Sequence, residues 1–113
     1  MNYLKKIFST GAVRKTPHSV ISKIVSLIKT GKKLSVVELG AGKGEITRAV
    51  INKIGTPRSY LAFEIDVNYC ARLSAEFAQI NVIEKDAFLF QEDTQQQDLI
   101  ISSIPLSFYG AAK

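Results

Sequence analysis

Acidic residues are missing from the first 33 positions of this chain, which hold eight basic ones: Lys5, Lys6, Arg14, Lys15, Lys23, Lys29, Lys32 and Lys33. The other 80 positions carry seven basic and ten acidic residues, so the net charge of +5 covers a basic front on an acidic body. Such asymmetry points the front towards something anionic, either phospholipid headgroups or RNA, or else marks a solvated basic helix. Cysteine is nearly absent too. Cys70 stands alone, which excludes an intrachain disulfide, and its helical apolar setting predicts a buried, inert thiol. No apolar run approaches the ~20 residues that a membrane-crossing helix needs. Lys5, Lys6, Arg14 and Lys15 interrupt any secretory signal core, so the expected location is cytoplasmic, peripheral at the inner membrane face at most. The single histidine, His18, falls in the first turn of a predicted helix and reads as solvated or capping; no metal site is expected. Two further absences concern nucleotides. There is no Gly-x-x-x-x-Gly-Lys-Ser/Thr, which excludes a P-loop, and Glu45 stands where a dinucleotide fingerprint needs its third glycine.

What is present fits one globular domain. The chain has 113 residues, 46% hydrophobic and 22% charged, which rules out two ordinary domains and a disordered chain. Residues 1–15 form a basic, partly apolar leader in which Tyr3, Leu4, Ile7 and Phe8 have the spacing of a short amphipathic helix. Residues 16–113 form the main unit. Its first helix is marked by Thr16 as N-cap, Pro17 at the first helical position and Gly31 past the end, with Val20, Ile21, Ile24, Val25 and Ile28 as the apolar stripe. Strand and helix then alternate: a strand at 34–39, a helix at 45–54, a strand at 60–63, and a helix of about twelve residues capped by Asp66. The inner face of that helix is expected to carry Val67, Cys70, Ala71, Ser74, Phe77 and Ala78. Strands at 81–83 and 98–104 follow, the last entered from the polar loop at 91–97. Alternation of this kind predicts a parallel sheet.

The chemistry concentrates at the carboxyl ends of these strands. Glu38-Leu39-Gly40-Ala41-Gly42-Lys43-Gly44-Glu45 joins the first strand of the main unit to a helix. Glycines there let the backbone turn tightly and approach a ligand, and the helix start offers free N–H groups. Glu64 ends the next strand, 24 residues after Gly40, where a carboxylate can accept hydrogens from both hydroxyls of a ribose. Asp86 follows the third strand and can accept a hydrogen bond from an adenine amino group, or serve only as a loop carboxylate.

Glu-x-Gly-x-Gly-x-Gly, then Phe-Glu-Ile-Asp, then Lys-Asp-Ala-Phe, resembles the S-adenosylmethionine-dependent methyltransferases. The likeness runs from about Phe8 to Tyr109 and is greatest to the branch holding ribosomal-RNA adenine dimethylases and bacterial phospholipid N-methyltransferases. It implies an α/β fold, a Rossmann-like methyltransferase three-layer sandwich, here truncated after the fourth parallel strand of seven. It implies S-adenosyl-L-methionine as cofactor. Glu38 and the loop of Gly40, Ala41, Gly42 and Gly44 would hold its methionine part. Glu64, with Ile65 beside it, would hold the ribose, and Asp86 with Ala87 the adenine, while Ser102 would complete the cofactor side.

The motif Ser102-Ser103-Ile104-Pro105-Leu106-Ser107-Phe108 bears on the methyl acceptor. Adenine dimethylases carry Asn-Leu-Pro-Tyr or similar there. In this chain Ser103 replaces the amide and Leu106 the aromatic, removing a stacking platform typically worth ~1–3 kcal/mol per base. Ser-x-x-Pro-Leu, with Thr10-Gly11-Ala12-Val13 in the leader, is closer to the phospholipid enzymes. Ser103 and Pro105 are therefore the catalytic candidates, Ser103 also reading as a turn cap. Tyr109 lies near enough in sequence to line the site. The expected reaction is methyl transfer to a deprotonated amine, with a phosphatidylethanolamine-type headgroup as the first choice of acceptor. Adenine N6 of ribosomal RNA is the alternative, and an incomplete cofactor-binding or interaction module the third reading. The basic leader would then dock on an anionic membrane. With strand order 3-2-1-4, the fourth strand is expected to be an open apolar edge that invites a second copy of the chain.

Overall fold

The computed structural model describes residues 16–86 and 97–103, with residues 5–8 as backbone. Five strands, β1 (Lys5–Phe8), β2 (Ser35–Leu39), β3 (Ser59–Phe63), β4 (Asn81–Ile83) and β5 (Leu99–Ser102), form one parallel sheet in the order β1-β5-β2-β3-β4. The four strands expected of the main unit are β2 to β5, in the expected order. Three helices, α1 (His18–Ser26), α2 (Glu45–Ile54) and α3 (Val67–Glu76), are interleaved with them.

Alternate positions along each strand supply two separate apolar faces, as the period of two requires. Val36, Tyr60, Ala62, Leu99 and Ile101 pack with Ile24 and Ile28, with Ile46, Val50 and Ile51 of α2, and with Leu73 and Phe77. Val37, Phe63 and Ile100 form the opposite face, with Leu39, Leu61 and Ile83 beside them. Val36, Val37, Ala62 and Ile101 have no exposed surface, as expected of strands covered on both sides.

Four expectations need correction. Lys5–Phe8 is not helical. It pairs in parallel with β5, in the register Lys5 to Leu99 through Phe8 to Ser102. The spacing of Tyr3, Leu4, Ile7 and Phe8 is short enough to suit either period, and the unpaired flank of β5 offers backbone partners that an isolated short helix lacks. As a result β5 has neighbours on both sides, β1 and β2, and is not the open edge from which self-association was expected. The third correction concerns α1, which begins at His18 with Pro17 at its cap: the Pro17 carbonyl accepts from Val20 and Ile21 N–H, and no side chain caps the helix. The Thr16 N–H instead donates to Glu45 Oε1 at 3.0 Å. The helix also stops well short of Gly31, at Leu27. Finally, α3 is rotated from its expected phase. Cys70, Leu73 and Phe77 face inward, whereas Val67, Ala71, Ser74 and Ala78 are exposed. Small residues at 71, 74 and 78 carry little burial energy, so the larger Leu73 and Phe77 set the rotation. Asp66 caps α3 as expected, accepting from Asn68 and Tyr69 N–H at 2.8 and 3.0 Å.

Candidate cofactor site

The carboxyl ends of β2, β3, β4 and β5 meet at one edge, and the glycine loop crosses it. The loop is tied down by backbone bonds: Gly40 and Ala41 N–H both donate to the Phe63 carbonyl, at 2.9 and 3.1 Å, and Gly44 N–H donates to Ala41. Gly42 and Gly44 are left-handed, with φ of +59° and +87°, and Gly44 is the N-cap of α2. Their surroundings differ. A Cβ on Gly44 would lie 3.0 Å from Leu73 Cδ2 and 3.1 Å from Phe77 Cε2, but one on Gly42 would meet nothing within 4 Å. Gly44 is thus required by packing, while Gly42 lies against open space where a ligand can approach. Gly44→Ala should cost about 1–3 kcal/mol of stability through strain and crowding. Gly42→Ala should cost about 1–2 kcal/mol, from backbone strain alone. Urea denaturation of the two variants checks the order.

Glu64, the residue after β3, is almost fully buried and braces this loop. Its Oε1 accepts from Gly42 N–H at 2.6 Å and its Oε2 from Asp66 N–H at 3.0 Å. One carboxylate therefore joins the glycine loop to the cap of α3. An ionised carboxylate has about four acceptor positions, so two remain for a ligand's hydroxyls. Ile65, next in sequence, is 68% exposed and sets an apolar surface beside those acceptors. Asp86, after β4, is partly buried. Ala87, Ile104, Pro105, Leu106 and Tyr109 lie outside the described residues.

Glu38 sits deeper than expected. It has no exposed surface, and its Oε1 accepts from Thr47 Oγ1 of α2 at 2.5 Å and from Tyr60 hydroxyl at 2.7 Å. Its Oε2 is buried with no hydrogen-bond partner. Burial pushes its carboxyl up to about 7, against the opposing pull of the Thr47 and Tyr60 hydrogen bonds, and the nearby Glu64 adds to the rise. The Tyr60 hydroxyl is likewise held well above its ordinary range by burial and by Glu38. Thr47 and Tyr60 escaped sequence reading. The available signal was a fully buried threonine position on an amphipathic helix, and a tyrosine two residues before Ala62, the register partner of Glu38.

Ser102 ends β5 and is buried. Ser103 follows it: its N–H donates to the Leu39 carbonyl at 3.1 Å and its hydroxyl donates to the Gly40 carbonyl. The hydroxyl proton is thus spent on the glycine loop, which matches the capping alternative, and towards an incoming group the oxygen is left only as an acceptor. Cys70 is buried, with its thiol directed at the Glu64 carbonyl at 3.2 Å and its pKa raised by burial.

A parallel sheet with a glycine loop after one strand and a bracing acid after the next defines a Rossmann-like protein with a nucleoside-cofactor edge. The chain belongs to the ribosomal RNA adenine dimethylase family, which it matches over residues 15–111. It is similar to the ribosomal RNA small subunit methyltransferase A of Helicobacter pylori strain G27, 26% identical over 96 residues, covering 80% of this chain and 33% of that protein. Its likeness to the protein of the same name from Burkholderia thailandensis is 37% over 75 residues, covering 65% and 27%. The chain thus spans about a third or less of the curated relatives it matches. Among solved structures, the 23S rRNA methyltransferase ErmE superposes with a TM-score of 0.64 at 25% identity, covering 85% of this chain and 39% of that one. A precorrin-6y C5,15-methyltransferase from Geobacter metallireducens reaches the same TM-score at 17% identity, covering 84% and 53%, a likeness of fold alone.

S-adenosylmethionine, the cofactor expected from sequence, is the methyl donor of this family. The residues present fit it. Glu64 has acceptor positions free, Gly42 borders open space, Ile65 offers an exposed apolar side chain, and Glu38 keeps one oxygen unpartnered below the loop.

Proposed function

We propose that this chain is the cofactor-binding part of an enzyme that methylates adenine N6 in ribosomal RNA. The observation that carries this reading is the family match across residues 15–111, laid over a glycine loop that Glu64 braces at the expected edge. A lipid headgroup was the first expectation, on the strength of Ser103 and Leu106. The support found lies with RNA, since the matching family, the two curated relatives and ErmE are by name ribosomal-RNA enzymes.

The cofactor supplies an electrophilic methyl group. The chain's own residues bind and orient. Glu64 takes ribose hydroxyls, and Asp86 the adenine amino group of the cofactor. An acceptor nitrogen must present a lone pair in line with the methyl and lose a proton as the new bond forms. Ser103 can only accept a hydrogen bond from that amine, because its own proton is held by Gly40. It therefore serves as a positioning residue for the acceptor and leaves the proton to water.

The test is methyl transfer by the purified chain from S-adenosylmethionine labelled on its methyl group. One arm offers an adenine-bearing ribosomal-RNA hairpin transcript, the other phosphatidylethanolamine vesicles. Label recovered as N6-methylated adenine is the expected result. Label in lipid alone would overturn the RNA reading. Label in neither, with S-adenosylhomocysteine still bound, would leave a cofactor-binding module.

A further inference from the structure

The two edges of the sheet carry opposite charge. At the carboxyl edge, around the cofactor site, stand Glu45, Glu64, Asp66, Glu84 and Asp86, against Lys43 and Lys85 among the described residues. An RNA brought to that edge meets mainly like charge. The opposite edge, where the strands begin, is cationic. Lys29, Lys32 and Lys33 lie between α1 and β2, Lys53 is in the last turn of α2, and Arg58 immediately precedes β3. All five are exposed. The hydrogen bond from Arg58 N–H to the Leu34 carbonyl, 2.8 Å, holds the entrances of β2 and β3 side by side, so that Lys33 and Arg58 lie just before two neighbouring strands whose backbones run about 5 Å apart.

Among the described residues one acid lies with them, Asp98 before β5. Its Oδ2 is taken by Ser35 N–H at 2.8 Å and its Oδ1 lies 3.4 Å from Lys32 Nζ. Asp98 therefore pairs with Lys32 and also attracts Arg58, and it leaves Lys29, Lys33 and Lys53 without a carboxylate partner among the described residues. Neighbouring cations at this spacing repel one another, and a polyanion relieves that repulsion and releases its own counterions.

We infer that the cationic edge of Lys29, Lys32, Lys33, Lys53 and Arg58 is a phosphate-binding surface that holds the backbone of an RNA whose target base lies at the opposite, acidic edge. The inference rests on the RNA reading above and adds where the RNA is held. The two edges are separated by about 17 Å, the length of a five-residue strand. A structured RNA easily spans that distance, and double-stranded-RNA modules routinely contact about 16 base pairs. Contacts of this kind are to phosphates, so they set position and affinity without reading sequence.

The test measures binding of the full chain to a fluorescein-labelled RNA hairpin by anisotropy at several salt concentrations. It compares wild type with the quadruple variant Lys29→Gln, Lys33→Gln, Lys53→Gln, Arg58→Gln. Calorimetric binding of S-adenosylhomocysteine to the variant, expected unchanged, reports that the fold and the cofactor edge are intact. The expected result is at least a tenfold loss of RNA affinity, with a salt dependence shallower by about 0.7–0.9 logarithmic units for each phosphate contact removed. Unchanged RNA affinity and slope in the variant would overturn the inference while leaving the proposed reaction standing. Wild-type binding to phosphatidylglycerol vesicles and not to the hairpin would overturn it in favour of a membrane. Retained binding with no N6-methylation would mark failure of the proposed function and not of the surface.

Discussion

Glu64→Ala should abolish measurable cofactor binding, with S-adenosylhomocysteine affinity falling at least 100-fold. Two effects combine. On the proposed reading the carboxylate accepts ribose hydroxyls, and hydrogen bonds to a charged group contribute about 1.5–3 kcal/mol each. Losing one or two of them alone gives a factor of about ten to about twenty thousand. The same side chain accepts from Gly42 and Asp66 N–H, so its removal also frees two backbone donors and unties the glycine loop from the start of α3. Glu64→Gln separates the two effects. Its amide oxygen can keep Gly42, but its NH2 meets the Asp66 N–H donor to donor, so an intermediate loss is expected. Titration calorimetry with S-adenosylhomocysteine reads both variants, and thermal melting confirms that they fold. An alanine variant that binds as tightly as wild type would reduce Glu64 to a brace of the loop.

That Glu64 could be singled out from sequence, while its exact work could not, reflects what each kind of signal carries. Strand identity and order were legible because β2 to β5 are short apolar runs bounded by glycines, caps and polar loops, and parallel sheets bury both faces of such runs. The 40–44 loop was legible because strand, glycines and helix follow in one order. Helix phase was less so. In α3, Ala71, Ser74 and Ala78 satisfy an apolar pattern on paper, but Leu73 and Phe77 have more surface to bury and take the inward face. The leader was misread because four apolar residues cannot distinguish a helix stripe from a strand, and the deciding factor is the flank of β5, some ninety residues away in sequence.

The side-chain partners of the site were hidden for a similar reason. Ser103 reads from sequence as a catalytic candidate or a turn cap, and which partner its hydroxyl takes, Gly40, is set by the register of β5 against β2. Glu38 was read as a cofactor ligand from its place before the glycines. The register of β2 on β3 puts Tyr60 on the same face, and α2 places Thr47 above it. Such contacts follow from long-range pairing that local pattern does not encode.

Glu38 leads to the second large effect, a stability that falls as pH rises from acid to neutral. Its carboxyl is raised from 4.5 to about 7, chiefly by burial. Between those values the folded chain keeps the proton while the unfolded chain has released it. The folded state thus binds more protons, and stability must decline with rising pH across that window. Integrated over the window, the decline is on the order of 3 kcal/mol, and it ends above the folded value. Asp98 acts oppositely and elsewhere: the Ser35 N–H holds its carboxyl below the ordinary range, so its contribution is lost only as pH falls through the acid range. Glu38→Gln removes the titration but keeps an oxygen for Thr47 and Tyr60. Urea denaturation at pH 5, 6, 7 and 8 should show wild type weakening across the series and the glutamine variant nearly flat. The two curves should converge or cross near neutral pH, where wild type carries the cost of an ionised, half-satisfied carboxylate and the variant does not. Parallel curves would mean that Glu38 stays ionised throughout, and that its unpartnered oxygen is solvated in the folded chain.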